Sequence, residues 1–208
     1  MHNIIEKGEI NMKRTLSLFL IFLILLSSIP VFGASYSRRD EKSAEVLKDL
    51  GILVGGRDGD LMLDHYLKRQ DLVVILSRLY GEEKNASMQL SKNKFKDIED
   101  SHYKPYIYWA VNKGLIYGKD SDTFGYDDYT KVGELQAILL RALDYGSELT
   151  NESMASKLAN RLGIMDGVSA DSSDYVTRGM MATMVYNALK CQVKGASYTL
   201  AEKLDISL

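Results

Sequence analysis

The chain has 208 residues, 46% hydrophobic and 26% charged, with 26 basic against 28 acidic side chains. That is enough apolar material for a core, and the charge balance excludes a disordered polyelectrolyte, a basic nucleic-acid arm and broad attraction to an anionic membrane surface. One cysteine, Cys191, and three histidines exclude an internal disulfide, a thiolate-rich zinc site and a histidine-rich metal centre.

Residues 1–33 read as an export signal. Lys13-Arg14 precede the apolar run Leu16–Leu26, and the small-residue exit Ser27-Ser28-Ile29-Pro30-Val31-Phe32-Gly33-Ala34 follows. The run ends at Pro30 and is shorter than the roughly 20 apolar residues that a spanning helix needs. Val31 and Gly33 suit the −3 and −1 positions, so cleavage is expected after Gly33, with no stable membrane span afterwards. Glu6 and Glu9 are foreign to a signal's basic start, which makes Met12 the expected true start. No cysteine stands at the exit to take a lipid. Removing residues 1–33 takes away three basic and two acidic side chains and leaves 23 against 26, a net charge of −3.

The rest of the chain repeats. Gly51-Ile52-Leu53-Val54-Gly55, Gly114-Leu115-Ile116-Tyr117-Gly118 and Gly163-Ile164-Met165-Asp166-Gly167 share one pattern, their first glycines 63 and then 49 residues apart. Adjacent apolar residues precede each glycine: Val46-Leu47, Trp109-Ala110 and Leu158-Ala159. They predict a short helix with Ser43 and Thr150 as N-caps in units one and three, and with each first glycine at C′. A second helix follows each time. Leu72, Ile75, Leu76 and Leu79 form one apolar stripe; Leu135, Ile138, Leu139 and Ala142 repeat it, as do Met181, Met184, Val185 and Ala188. The interval from first glycine to stripe is 21, 21 and 18 residues. The expected organisation is residues 34–84, 95–145 and 150–190 as repeats, with 82–94 and 145–151 as polar connections. The tail, 191–208, is too short for a domain, and Leu200–Leu208 is expected to form a docking turn or to fray. Two short helices cannot bury their stripes alone, so the three units should share one core.

Phe95-Lys96-Asp97-Ile98, His102-Tyr103, Ile107-Tyr108-Trp109-Ala110, the Gly114–Gly118 turn, Phe124 and Thr130-Lys131-Val132-Gly133-Glu134-Leu135 together resemble a surface-layer homology (SLH) repeat. Its second helix opens Thr-Arg-Ala-Glu, matched in unit one by Lys68-Arg69-Gln70-Asp71 and in unit three by Thr177-Arg178-Gly179-Met180. The resemblance implies an all-α, pseudo-threefold prism of three helix-turn-helix repeats that holds an exported protein on the bacterial wall. Its expected partner is secondary cell-wall polysaccharide, acidic and pyruvylated, or peptidoglycan, bound in grooves between repeats.

The family's arginine carries over to Arg69 and Arg178, with Lys68 and Thr177 beside them; unit two has Val132 there and Lys131 one residue earlier. A guanidinium presents a planar fork to a carboxylate, and the first turn of a helix favours an anion further. The competing role for these arginines is an ion pair that ties repeats together. Gly55, Gly118, Gly167, Asp97 and Trp109 are candidate groove-lining residues, although Asp97 also suits a turn cap and Trp109 a core position. The tyrosines around Trp109 suit sugar rings. Asp120-x-Asp122-x-Phe124-Gly125 lacks the oxygen ligand and distal glutamate of a calcium loop and reads as an acidic turn. No nucleophile–base spacing is present, so no enzyme, cofactor or metal is expected. The alternative reading is an accessory surface module that binds another surface protein through degenerate grooves.

Overall fold

Eight α-helices form among the described residues: α1 Arg38–Asp49, α2 Arg69–Leu79, α3 Glu83–Ser87, α4 Lys104–Asn112, α5 Val132–Ala142, α6 Glu152–Arg161, α7 Arg178–Lys190 and α8 Leu200–Lys203. Single 3₁₀ turns stand at Lys96–Ile98 and Gly146–Glu148. The computed structural model describes residues 36–90, 95–98 and 101–208; the expected signal, its Met12 start and its cleavage site lie outside them. No strand forms among these residues, and the fold is all-α. None of these helices is long and apolar enough to cross a membrane.

The helix ends follow local chemistry. Ser37, not Ser43, caps α1: its hydroxyl accepts from the Asp40 N–H at 3.1 Å while the Asp40 carboxylate accepts from the Ser37 N–H at 2.8 Å. Ser43 lies buried inside the helix. Asn151, not Thr150, caps α6 by accepting from the Met154 N–H at 2.9 Å. Gly51, Gly114 and Gly163 have φ of +70°, +68° and +80°, the left-handed C′ conformation expected of them. All twelve residues of the three predicted stripes are buried. Each large one contributes about 1.5–3 kcal/mol by leaving water.

The short helices do not pack on their own unit's long helix. α4 packs on α2, α6 on α5, and α1 on α7, so each short helix lies against the long helix of the unit before it, cyclically. Polar contacts seal the same pairs: Tyr103 donates to Asp71 at 2.8 Å, Ser156 to Gln136 at 3.1 Å and Thr183 to Asp40 at 2.6 Å. Backbone bonds close a ring where the long helices begin. The Leu67 N–H donates to the Val176 carbonyl at 2.8 Å, Val176 to Thr130 at 2.9 Å and Thr130 to Leu67 at 2.8 Å.

Two segments add elements to those predicted. The polar stretch after α2 folds as α3, anchored by fully buried Ala86. The tail folds as α8, which packs on α7, while Lys203 donates to the Ala142 carbonyl at 3.2 Å and pairs with Asp144 at 2.7 Å.

Candidate functional site

The long helices start around the backbone ring, so residues at one register position stand at equivalent places around it. Arg69 donates from Nη2 to the carbonyls of Tyr117 at 2.9 Å and Phe124 at 3.0 Å. Arg178 donates to Val54 at 2.9 Å and Leu61 at 2.7 Å. Val54 and Leu61 are the residues 63 positions before Tyr117 and Phe124, so both arginines grip the same two points of a neighbouring turn.

Their charges are handled differently. Arg69 is 2% exposed, pairs with Glu134 at 2.7 Å and stacks its guanidinium 4.8 Å from the Phe124 ring centroid. Arg178 is half-buried and has no carboxylate partner among the described residues. The reason lies two positions along the helix opening. Glu134 reaches Arg69, whereas its counterpart Asp71 is one methylene shorter and accepts from the Tyr103 hydroxyl instead. At the third position Val132 is fully buried and contributes only its N–H, donated to the Asp174 carbonyl at 2.9 Å.

The groove beside the unit-two turn encloses a cavity of about 380 Å³, within the size range of small-molecule sites. Arg69, Lys119, Lys131 and Arg141 line it, with Glu134 and Glu152 as its acids and Gly118 on its wall. Glu134 neutralises Arg69, and Asp128 pairs with Lys119. The Lys131 ammonium and the Arg141 guanidinium have no carboxylate partner among the described residues. Arg141 is held by one bond to the Leu115 carbonyl at 3.0 Å and by the Tyr117 ring, 4.7 Å away. Burial lowers the pKa of both Arg141 and Arg178 from the usual guanidinium value.

At the unit-three turn the local arginine comes from elsewhere. Arg39, from α1, lies against Gly167, where any Cβ would collide with it. Asn187 spans the same turn by donating to the carbonyls of Ile164 at 3.1 Å and Asp166 at 2.9 Å. Arg38, Arg39, Lys42 and Lys190 line a second cavity there together with Glu45, Asp49 and Asp166.

The remaining candidates have local duties. The Lys68 ammonium is exposed and pairs with Asp127 at 2.6 Å, which raises its pKa. Thr177 is the N-cap of α7, accepting from the Met180 N–H at 3.2 Å. Asp97 caps the following turn: it accepts from the N–H groups of Phe124, Gly125 and Tyr126 at 2.8–2.9 Å. Desolvation opposes its ionised form, but those three donors outweigh it and the pKa falls below the ordinary carboxylate value. Trp109 stands in the core, 4% exposed, edge-on to Tyr80 and donating to Glu82 at 2.9 Å, and not on a groove wall. Gly55 packs tightly against the carbonyls of Gly59 and Asp60. Asp120 accepts from the N–H groups of Asp122 at 3.0 Å and Thr123 at 2.8 Å, as an acidic turn does.

Arg141 and Arg39 were missing from the sequence-based candidates. Arg141 stands nine residues after Val132, as Arg78 does after Arg69 and Asn187 after Arg178, so the register held a signal for it. Arg39 had none, because it reaches a turn more than a hundred residues away in sequence.

Among the described residues the fold is an all-α ring in which Arg69 and Arg178 are anchored by backbone carbonyls. Residues 94–125 match the S-layer homology domain model. The chain is also 24% identical over 154 residues to a protein named "Middle cell wall protein" from Brevibacillus brevis, an alignment that covers 72% of this chain and 14% of that relative.

Proposed function

We propose that this chain is a non-catalytic module of the bacterial cell surface that binds an acidic, pyruvylated secondary wall polysaccharide in grooves between three repeats, residues 34–84, 95–145 and 150–190. One observation carries the reading: Arg141 and Arg178 are half-buried guanidiniums, fixed by backbone carbonyls and lacking a carboxylate partner among the described residues. Each keeps donors for an anion, and a ligand carboxylate would repay the desolvation that lowers its pKa. Lys131 supplies a third cation from the rim. Arg69, already matched by Glu134, supports the groove and contributes less to the ligand. The domain match and the name of the cell-wall relative support this class of function.

The test is co-sedimentation with purified wall sacculi before and after the secondary polymer is stripped. Binding should be lost on stripping. Arg141→Gln and Arg178→Gln should each weaken it roughly ten- to hundredfold, the loss of one charge-assisted bond of about 1.5–3 kcal/mol. Binding unchanged by stripping overturns the polysaccharide reading in favour of a protein partner.

A further inference from the structure

The three residues just before the backbone ring are Tyr66, Tyr129 and Tyr175, each three positions ahead of Arg69, Val132 and Arg178. Their rings form a triangle with centroid separations of 5.6, 5.7 and 5.8 Å and interplanar angles of 56–64°. A hydrophobic triad would normally be buried, yet these rings are 43–47% exposed. Beside two of them, Tyr129 and Tyr175, opens a cavity of about 390 Å³. Its wall is completed by Lys119, Lys131 and Glu134, which also line the Arg141 groove, and by Asp127 and Asp128. Tyr66 is not on that wall.

We infer that this cavity is a second sugar subsite, taking an uncharged pyranose of the same glycan whose acidic residue occupies the Arg141 groove. The chemistry of the lining differs from that of the groove. Two aromatic rings give apolar faces for the C–H side of a sugar ring. Three carboxylates accept from hydroxyls and two ammonium groups donate to them. Each of these carboxylates already has a cation, Asp127 with Lys68, Asp128 with Lys119 and Glu134 with Arg69, and no arginine lines the cavity to meet a carboxylate with a planar fork, which suits a neutral, hydroxyl-rich residue better than an acidic one. The groove next door differs in holding the Arg141 guanidinium, which has no carboxylate partner among the described residues. Because Lys119, Lys131 and Glu134 are shared, the two cavities adjoin, and a linear glycan can pass from one to the other without leaving the surface. The module then reads a sequence of at least two sugars, one acidic and one neutral, and not an isolated acid.

This inference rests on the wall-polysaccharide reading, and the test separates the two. Every tyrosine of the triangle makes two ring contacts, so a structural role predicts equal effects of Tyr66→Ala, Tyr129→Ala and Tyr175→Ala. A subsite predicts that Tyr129→Ala and Tyr175→Ala each weaken co-sedimentation with polymer-bearing sacculi about three- to tenfold, while Tyr66→Ala changes it less than twofold. In the unmodified protein, ¹H–¹³C ring signals of Tyr129 and Tyr175 should shift more than those of Tyr66 when polymer released from the sacculi is added, a readout independent of variant folding. Binding indifferent to stripping of the polymer overturns both readings. Binding that requires the polymer but treats the three tyrosines alike, in affinity or in ring shifts, overturns the second subsite alone.

Discussion

The two motif arginines should separate cleanly when each is replaced by methionine, which keeps the aliphatic stem and removes the charged fork. Arg69→Met strands the Tyr117 and Phe124 carbonyls and leaves Glu134 without its cation. The Arg69 side chain is 3% exposed and that of Glu134 33%, so water can recover part of the carboxylate but little at the guanidinium end. Breaking a buried pair costs about 3–5 kcal/mol, and partial rehydration of Glu134 places this case near 3–4 kcal/mol. Against a total stability of roughly 5–15 kcal/mol, with each kcal/mol worth about 2–4 °C in a domain of this size, the melting temperature should drop by roughly 6–16 °C. Arg178→Met leaves no carboxylate behind and removes bonds to two carbonyls, so it should cost about 1–2 kcal/mol. Urea unfolding followed through Trp109, the one tryptophan and a buried one, reads both. A double-mutant cycle with Glu134→Gln should return a coupling that Arg178 lacks. Equal destabilisation by the two substitutions, or a cost below about 1 kcal/mol for Arg69→Met, refutes the assignment of Arg69 to structure.

Three further substitutions probe the frame around the grooves. Thr130 is fully buried and its hydroxyl has no hydrogen-bond partner among the described residues, so Thr130→Val should stabilise the protein by about 1 kcal/mol in the same urea titration. Gly118→Ala would push a Cβ into the Phe95 ring and to 2.8 Å from the Thr123 carbonyl; thermal unfolding should show a loss of about 1–3 kcal/mol. Asp97 has a folded pKa below its unfolded value of about 3.9. Its contribution is therefore present above pH 4 and fades as pH falls through the lowered folded value. Asp97→Asn should be less stable than the parent at pH 7, and the gap should narrow on acid titration followed by circular dichroism.

The helices were legible because their signals are local. Leu72–Leu79, Leu135–Ala142 and Met181–Ala188 each show the buried stripe within one helix, and the C′ glycines mark their own backbone conformation. Caps were less legible, because Ser43 and Thr150 compete with Ser37 and Asn151 for the same duty and only the chain path decides. α3 was hidden by its polarity, since a helix held by one buried alanine has no stripe to read. Packing was illegible for a different reason. The sequence repeat runs from short helix to long helix, but the packed pair joins each short helix to the long helix of the preceding unit. Nothing in a periodicity argument distinguishes the two arrangements.

That exchange explains how equivalent motif positions acquired unequal chemistry. The Arg69 groove draws a motif side chain from one unit, a turn from the next and a short helix from the one after, so it changes whenever any of three distant segments does. Between Arg69 and Arg178 the arginine and its two carbonyl acceptors are retained, while the acid changes from Glu134 to Asp71 and the ring of Phe124 is replaced by Leu61. Those changes leave Arg69 neutralised from within and Arg178 without a carboxylate partner among the described residues. On the proposed reading, a chain with net charge near zero holds an anionic polymer because what matters is which few cations the fold leaves unmatched.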